Sequence, residues 1–382
     1  MSDSNSKIAE GPDRTRKRRV WLTDVLLLVA VTIAMLALFE LGLRITEYNP
    51  LANQPPKTIV DLSMHTPNSD RMIDVSLLDP QHPRSRLRID SRSYILPSLH
   101  HGTPDATIAF LGGSTTECSA VKEALRFPAL VSEVLGAKEL NVKTLNAGHS
   151  GNTLHDSINI LLNHVVYDRP DIVVVMNVAN DVGILGRRTA DYHVRSGRQL
   201  TFSDVIDWFK WTASQHLNLA GVARQSLIVL RGRTTKAYPG DLMGRERRTD
   251  PAFADTLPSH LYEQRLRVFV GVARGLGIIP VLMTEPLSDI RNELTPDWAD
   301  MGGVARFNEI VRRVGEEEQV PVIDLVGYLS NNVPGWAQPM KVFYDGIHVT
   351  DYGSEVYARH IAERLEPLLR QVIAQRHDSN LH

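Results

Sequence analysis

A single cysteine, Cys118, occurs in 382 residues, so the chain can form no intrachain disulfide and cannot assemble a cysteine-rich zinc site. Cys118 itself reads as a small buried side chain. A surplus of either charge is also lacking. The chain has 42 Lys and Arg against 44 Asp and Glu, and a formal net charge of −2 gives no global footprint for nucleic acid. There is no internal repeat and no low-complexity tract. What remains, 43% hydrophobic and 23% charged residues, is the composition of a globular protein with one large domain and extras.

The most biased segment is the N-terminus. Arg14, Arg16, Lys17, Arg18 and Arg19 precede an apolar stretch from Val20 to Leu43. At a rise of ~1.5 Å per residue this stretch is long enough to cross a ~30 Å hydrocarbon core. Asp24 and Glu40 interrupt it, each about 12 Å from its middle by the same rise, near the interfaces where a carboxylate reaches water. Basic residues ahead of the span keep the N-terminus cytoplasmic and place everything after Arg44 beyond the membrane, periplasmic or extracellular. A cleaved signal peptide is the rival, with small residues in "AMLALFE" but an apolar core at the long limit. The expectation is an uncleaved anchor held in the bilayer.

Residues 44–104 carry eight prolines, from Pro50 to Pro104, and no long periodic run, which reads as a stalk with some short strands. From 105 on, strand and helix signals alternate. Apolar runs occur at Thr107–Leu111, Val142–Leu145, Ile172–Met176, Pro280–Met283 and Val320–Leu325. Helical stripes fall between them, such as Leu125, Ala129, Leu130, Val134 and Leu135, and a last stripe from Val356 to Leu369 contains Pro367, where a kink is expected. This alternation predicts a parallel sheet covered by helices. One insertion, 186–258, breaks the rhythm. Between 187 and 248 it holds 12 Lys and Arg against 5 Asp and Glu, with a helix or two expected near Val205–Val229. It reads as a solvated basic cap, with a polyanion or lipid-headgroup site as the alternative.

The first apolar run ends in "GGSTTE", Gly112 to Glu117. No Lys follows at the spacing a P-loop needs. Gly112-Gly113-Ser114 fits the first half of a G-x-S-x-G elbow, but Thr116 stands where its second Gly belongs. A serine nucleophile on another kind of loop and a plain strand-to-helix turn capped by Ser114 remain. Three further clusters fall at strand ends: "NAGHSGNT" (146–153), "NVANDV" (177–182) and "YDGIHVT" (344–350). Singly these are common turn chemistry. In this order they supply what acyl transfer needs. Ser114 needs a base, His348 has the intrinsic pKa for that task, and Asp345, three residues before it, can fix the imidazole. The backbone N–H groups of Ser114 and Gly151 and the side-chain amide of Asn180 can serve as the oxyanion hole. Asp181 reads as a helix N-cap, His149 as a loop residue, and Thr115, Thr116 and Glu117 as the opening of a helix.

These four blocks resemble the SGNH, or GDSL-type, hydrolase superfamily, over roughly Ala106 to Leu369. Ser114 matches the nucleophile block, Gly151 the second, Asn180 the third and His348, with Asp345, the last. The resemblance implies a flavodoxin-like three-layer α/β/α fold around a parallel sheet, and ester or acyl chemistry without a metal or cofactor. One position departs from the pattern. Val178 stands where the third block usually has Gly, and a valine there could crowd the loop that aims Asn180. Lipases, carbohydrate esterases, thioesterases and sugar O-acetyltransferases all belong to this superfamily, and the motifs do not separate them.

The expected organisation is a basic tail over 1–19, a membrane span over 20–43, a stalk over 44–104, the hydrolase domain over 105–375 and a tail over 376–382. The expected activity is that of a membrane-anchored extracytoplasmic serine esterase acting on an acyl ester, with acetyl groups of an envelope or exported polysaccharide among the expected substrates. A polysaccharide O-acetyltransferase using the same acyl-enzyme and a non-catalytic glycan- or partner-binding domain are the alternatives.

Overall fold

Ile172 to Met176 is five apolar residues, four of them β-branched, and such a run suits a strand buried on both faces. In a computed structural model of the chain it lies at the centre of a five-stranded parallel sheet. The structure describes residues 14–46, 62–76, 79–186, 192, 218, 222, 226, 258–288, 301–338 and 340–379. Residues 1–13 of the basic tail expected over 1–19, and most of the 186–258 insertion with most of the stretch near Val205–Val229 where helices are expected, lie outside the described residues. By compactness the chain divides into two units, Met1–Lys57 with Arg198–Thr235, and Thr58–Gly197 with Lys236–His382.

In the second unit a small antiparallel pair, β1 (Asp70–Asp74) and β2 (Arg84–Arg88), precedes the main sheet. The sheet is built from β3 (Ala106–Gly112), β4 (Val142–Asn146), β5 (Ile172–Met176), β6 (Ile279–Met283) and β7 (Val322–Ile323), in the order β4-β3-β5-β6-β7. Counted alone, these five strands run 2-1-3-4-5, the flavodoxin-like order. The order reverses between β3 and β5, so a crevice is expected beyond the carboxyl ends of that pair. The motif carrying Ser114 follows β3, and the motif carrying Asn180 follows β5.

Side chains alternate across the sheet with period two. Ala109 and Leu111 of β3, Val173 and Val175 of β5 and Leu282 of β6 face one core. Ile108, Phe110, Ile172, Val174, Met176, Val281 and Met283 face the other. The first core is closed by α4 (Leu154–Asn163), α5 (Ala179–Leu185), α6 (Ser259–Gly275) and α7 (Met301–Glu317). The second is closed by α3 (Phe127–Gly136), α8 (Leu325–Asn332) and α9 (Asp351–Ser379). A four-residue turn of helix, α2 (Ser114–Glu117), follows β3.

The sequence expectations need two corrections. The last apolar run yields only the two residues of β7, because the Asp324 carboxylate accepts the Gly327 N–H at 3.1 Å and starts α8 at Leu325. More important, residues 62–104 are not a stalk. Leu87, Ile89 and Ile95 form their own buried cluster, and Ile95 donates its N–H to the Asn146 carbonyl at 2.9 Å on the sheet's edge strand. Arg126 locks this segment down. It is 1% exposed, and its guanidinium donates to the carbonyls of Arg86 (2.5 Å), Leu96 (2.8 Å) and Cys118 (3.2 Å). Those three acceptors supply the partners that a buried guanidinium requires.

In the first unit, helix α1 (Arg14–Ile45) contains an apolar stretch, Thr23–Ile45, of 23 residues, long enough to cross a membrane. Glu40 is paired within the helix by Arg44 at 2.9 Å.

Candidate active site

Gly112 and Gly113 end β3 because nothing larger fits. A Cβ on Gly112 would lie 2.1 Å from Thr116 Oγ1 and 2.7 Å from the Met176 carbonyl. A Cβ on Gly113 would lie 2.4 Å from Asn180 Nδ2. The turn therefore passes directly beneath the Asn180 amide and delivers Ser114 to the first position of α2. First-turn amides of a helix have no acceptor within it, so the Ser114 N–H is available to a ligand.

Ser114 Oγ lies 2.8 Å from His348 Nε2, and His348 Nδ1 lies 2.6 Å from Asp345 Oδ2. Asp345 is fully buried, His348 is nearly so, and Ser114 is partly exposed. The other Asp345 oxygen accepts the backbone N–H groups of Ile347 (3.1 Å) and His348 (2.8 Å), so the carboxylate is fixed by its own loop. An ionised carboxylate only accepts, which puts the imidazole proton on Nδ1 and leaves Nε2 to receive the Ser114 hydroxyl. Burial pushes Asp345 upward, but His348 and the two amides outweigh it and hold the carboxyl below its ordinary value. Burial pushes His348 downward. The adjacent Asp345, with Glu117 and Glu285 behind it, reverses this and leaves the imidazole above its ordinary value.

The second and third motifs converge on the same turn. Gly151 has φ +81°, a left-handed conformation that favours glycine. Its loop is tied to the nucleophile turn by the His149 N–H, which donates to the Gly112 carbonyl at 3.2 Å. Asn180 Nδ2 donates to the Asn152 carbonyl at 2.9 Å, which fixes the amide plane and leaves its second N–H on the Gly113 side of the turn. Asn177 Nδ2 donates to the same carbonyl at 3.0 Å. A serine held by a histidine base at the start of a helical turn, beside a fixed side-chain amide, can form and collapse a tetrahedral acyl adduct.

Two single-residue readings change, those of Val178 and Asp181, whereas His149 lies in a loop and Cys118 is buried, as read from the sequence. Val178 does not crowd Asn180, because its side chain is wholly buried in the α4–α7 core. Asp181 does not cap its own helix. It is buried and accepts the Leu154 N–H at 3.0 Å, at the start of α4, and the Tyr192 hydroxyl. His149 is half-buried, with its ring centroid 4.6 Å from that of His65 and Ser63 Oγ 3.3 Å from its Nδ1. Cys118 is buried, and that burial pushes its thiol up to about 12.

Two buried carboxylates near the site are not legible as part of it in the sequence, which marks Glu117 only as the opening of a helix. Glu117 is buried, with His65 Nε2 3.2 Å away and the Ser150 hydroxyl donating to it. Arg71 donates to His65 Nδ1 at 2.8 Å, so the His65 proton sits on Nε2 and faces Glu117. Glu285 is buried two residues beyond β6. Its one sequence signal is an acidic residue just past the carboxyl end of a buried strand, the edge at which ligands bind in such sheets.

The chain matches the model of the GDSL-like Lipase/Acylhydrolase family over residues 110–356. Similar solved structures include the lipase/acylhydrolase from Enterococcus faecalis, with 17% identity over 69% of this chain and 96% of that one, at a TM-score of 0.42. An acetylxylan esterase from Geobacillus stearothermophilus is 18% identical over 68% and 94%, at a TM-score of 0.40. An alpha/beta hydrolase from the metagenome of Lake Arreo, Spain, is 17% identical over 69% and 96%, at a TM-score of 0.43. No curated protein sequence matches the chain.

Proposed function

The chain belongs to the GDSL-like lipase/acylhydrolase family, and from that premise we propose that it is a membrane-anchored serine esterase with Ser114, His348 and Asp345 as its catalytic triad. The observation that carries the assignment is the continuous relay, 2.8 Å from Ser114 Oγ to His348 Nε2 and 2.6 Å from Nδ1 to Asp345 Oδ2. Ser114 Oγ attacks the ester carbonyl carbon while its proton passes to His348 Nε2. The oxyanion that forms is met by the N–H groups of Ser114 and Gly151 and by the Asn180 amide. Collapse breaks the bond to the alcohol oxygen, which takes the proton from His348, and the acyl group stays on Ser114. Water then gives a proton to His348, attacks the acyl carbon and releases the acid, and the proton returns to Ser114.

The apolar stretch of α1 and the basic residues ahead of it support a single span with the N-terminus in the cytoplasm and the hydrolase domain, residues 105–375, beyond the membrane. That location favours short acyl esters, acetyl among them, on an envelope or exported polysaccharide. A fluorophosphonate that phosphonylates activated serines tests the triad. Mass mapping should place the adduct on Ser114 and on no other serine, and a protein left unlabelled would refute the assignment. Product analysis with an acetylated oligosaccharide then separates hydrolysis, which releases acetate, from transfer of the acyl group to a second sugar.

A further inference from the structure

Glu285 carries more of the site than its position suggests. Its side chain is 5% exposed, and each carboxylate oxygen is engaged. Oε1 accepts the Thr115 hydroxyl at 2.7 Å. Oε2 accepts the backbone N–H groups of Val178 and Ala179, both at 2.7 Å. Its own backbone is clamped by the Asn308 side chain, whose Oδ1 accepts the Glu285 N–H and whose Nδ2 donates to the Glu285 carbonyl, each at 2.9 Å. Thr115 follows Ser114, and Val178 and Ala179 immediately precede Asn180. One side chain from the end of β6 thus bridges the turn after β3 and the turn after β5, the two that carry the nucleophile and the side-chain oxyanion donor.

Tying two turns together does not require a charge. A glutamine could make the same three contacts, with its carbonyl oxygen accepting both amides and its NH2 donating to Thr115 Oγ1. A wholly buried carboxylate is a costly way to make a purely structural bridge. The titratable groups around it are His348 in the loop before α9, Asp181 of α5, Tyr262 of α6 and Tyr357 of α9. His348 is the one of these that becomes cationic during an acyl transfer, and its other anionic neighbours are Asp345 and Glu117.

We propose that Glu285 is a positioning residue of this site: its carboxylate registers the nucleophile turn against the turn carrying Asn180, and its charge supports the imidazolium of His348 formed as Ser114 attacks. The proposal rests on the triad assignment above and adds to it a third anion that is not a member of the triad. Burial holds the Glu285 carboxyl above its ordinary value, and its three donors and the neighbouring His348 act against that rise, toward the ionised form that the role requires.

The test is the pH dependence of kcat/KM for p-nitrophenyl acetate, measured on the full chain in detergent micelles, for the wild type and Glu285→Gln. The variant keeps the three contacts and removes only the charge. The acid limb, which reports deprotonation of His348, should move to lower pH, and the plateau kcat should fall about 10- to 100-fold with KM within about threefold. An acid limb that stays in place overturns the proposal. Fluorophosphonate labelling of the wild type separates the two levels. Ser114 labelled with the limb unmoved refutes the role of Glu285 alone, whereas Ser114 unlabelled refutes the site and the proposal together. If Glu285→Gln does not fold, Thr115→Val decides. It cuts the tie to the nucleophile turn, and a kcat reduced about tenfold at unchanged KM supports the proposal, whereas a kcat within about twofold of wild type overturns it.

Discussion

Asp345→Asn should silence the enzyme while leaving it folded, and the structure says why. Asp345 Oδ1 accepts two backbone N–H groups, from Ile347 at 3.1 Å and His348 at 2.8 Å. In the variant the amide oxygen must stay on that side. Turning the NH2 group onto the two amides would leave buried donors facing donors, at about 1–3 kcal/mol for each lost partner. That is at least about 2 kcal/mol, a population below roughly one in 25. The NH2 group is therefore held toward His348 Nδ1 as a donor. Nδ1 must then accept, the ring proton moves to Nε2, and Nε2–H points at Ser114 Oγ, where a base is needed. The imidazolium also loses the negative charge 2.6 Å away that stabilises it. Together these should lower kcat about 10⁴-fold, close to 5.4 kcal/mol at 1.36 kcal/mol per decade. The assay is steady-state hydrolysis of p-nitrophenyl acetate beside a far-UV circular dichroism melt. A folded variant retaining more than about a tenth of wild-type kcat would refute the tautomer argument.

The acid limb of the wild-type kcat/KM profile should have its midpoint above 6.5, the ordinary histidine value, because the carboxylates of Asp345, Glu117 and Glu285 outweigh the burial of His348. The unprotonated ring is the base, so activity is lost as pH falls through that midpoint, and a midpoint below 6.5 contradicts the charge arrangement. Gly113→Ala should displace Asn180 Nδ2, which lies 2.4 Å from the new methyl, and lower kcat about 10²–10³-fold; Asn180→Ala should do the same with KM little changed. A Gly113→Ala enzyme with full kcat would show that the amide does not need its place. Protease added to spheroplasts should digest the hydrolase domain, and complete protection would overturn the proposed topology.

The parts of this protein that were legible in its sequence are those whose signal is local. The runs at β3 and β5 are apolar throughout because both sheet faces are covered, and their positions followed directly. Ser114, Gly151, Asn180, Asp345 and His348 stand out because they sit in short motifs, after β3, β4 and β5 and just before the last helix, and the structure brings Ser114, His348 and Asp345 into hydrogen-bonded contact and packs Asn180 against Gly113. Residues 62–104 misled for the opposite reason. Their stability comes from partners far along the chain, such as Ile95 on Asn146 and Arg126 on the Arg86 and Leu96 carbonyls, while their prolines suggest a linker. Glu285 and His65, the partner of Glu117, belong to no motif. They become visible only when the ends of β3, β5 and β6 are seen side by side.

Hydrolysis of p-nitrophenyl acetate by Ser114→Ala is the most direct trial of the account. The substitution removes one oxygen from a partly exposed position and leaves Asp345, His348 and the oxyanion donors in place. Because the three residues act as a unit, kcat should fall at least ~10³-fold, toward the level that the oxyanion hole and binding alone sustain. A Ser114→Ala protein that turns over the ester at a rate near that of the wild type would show that the nucleophile lies elsewhere.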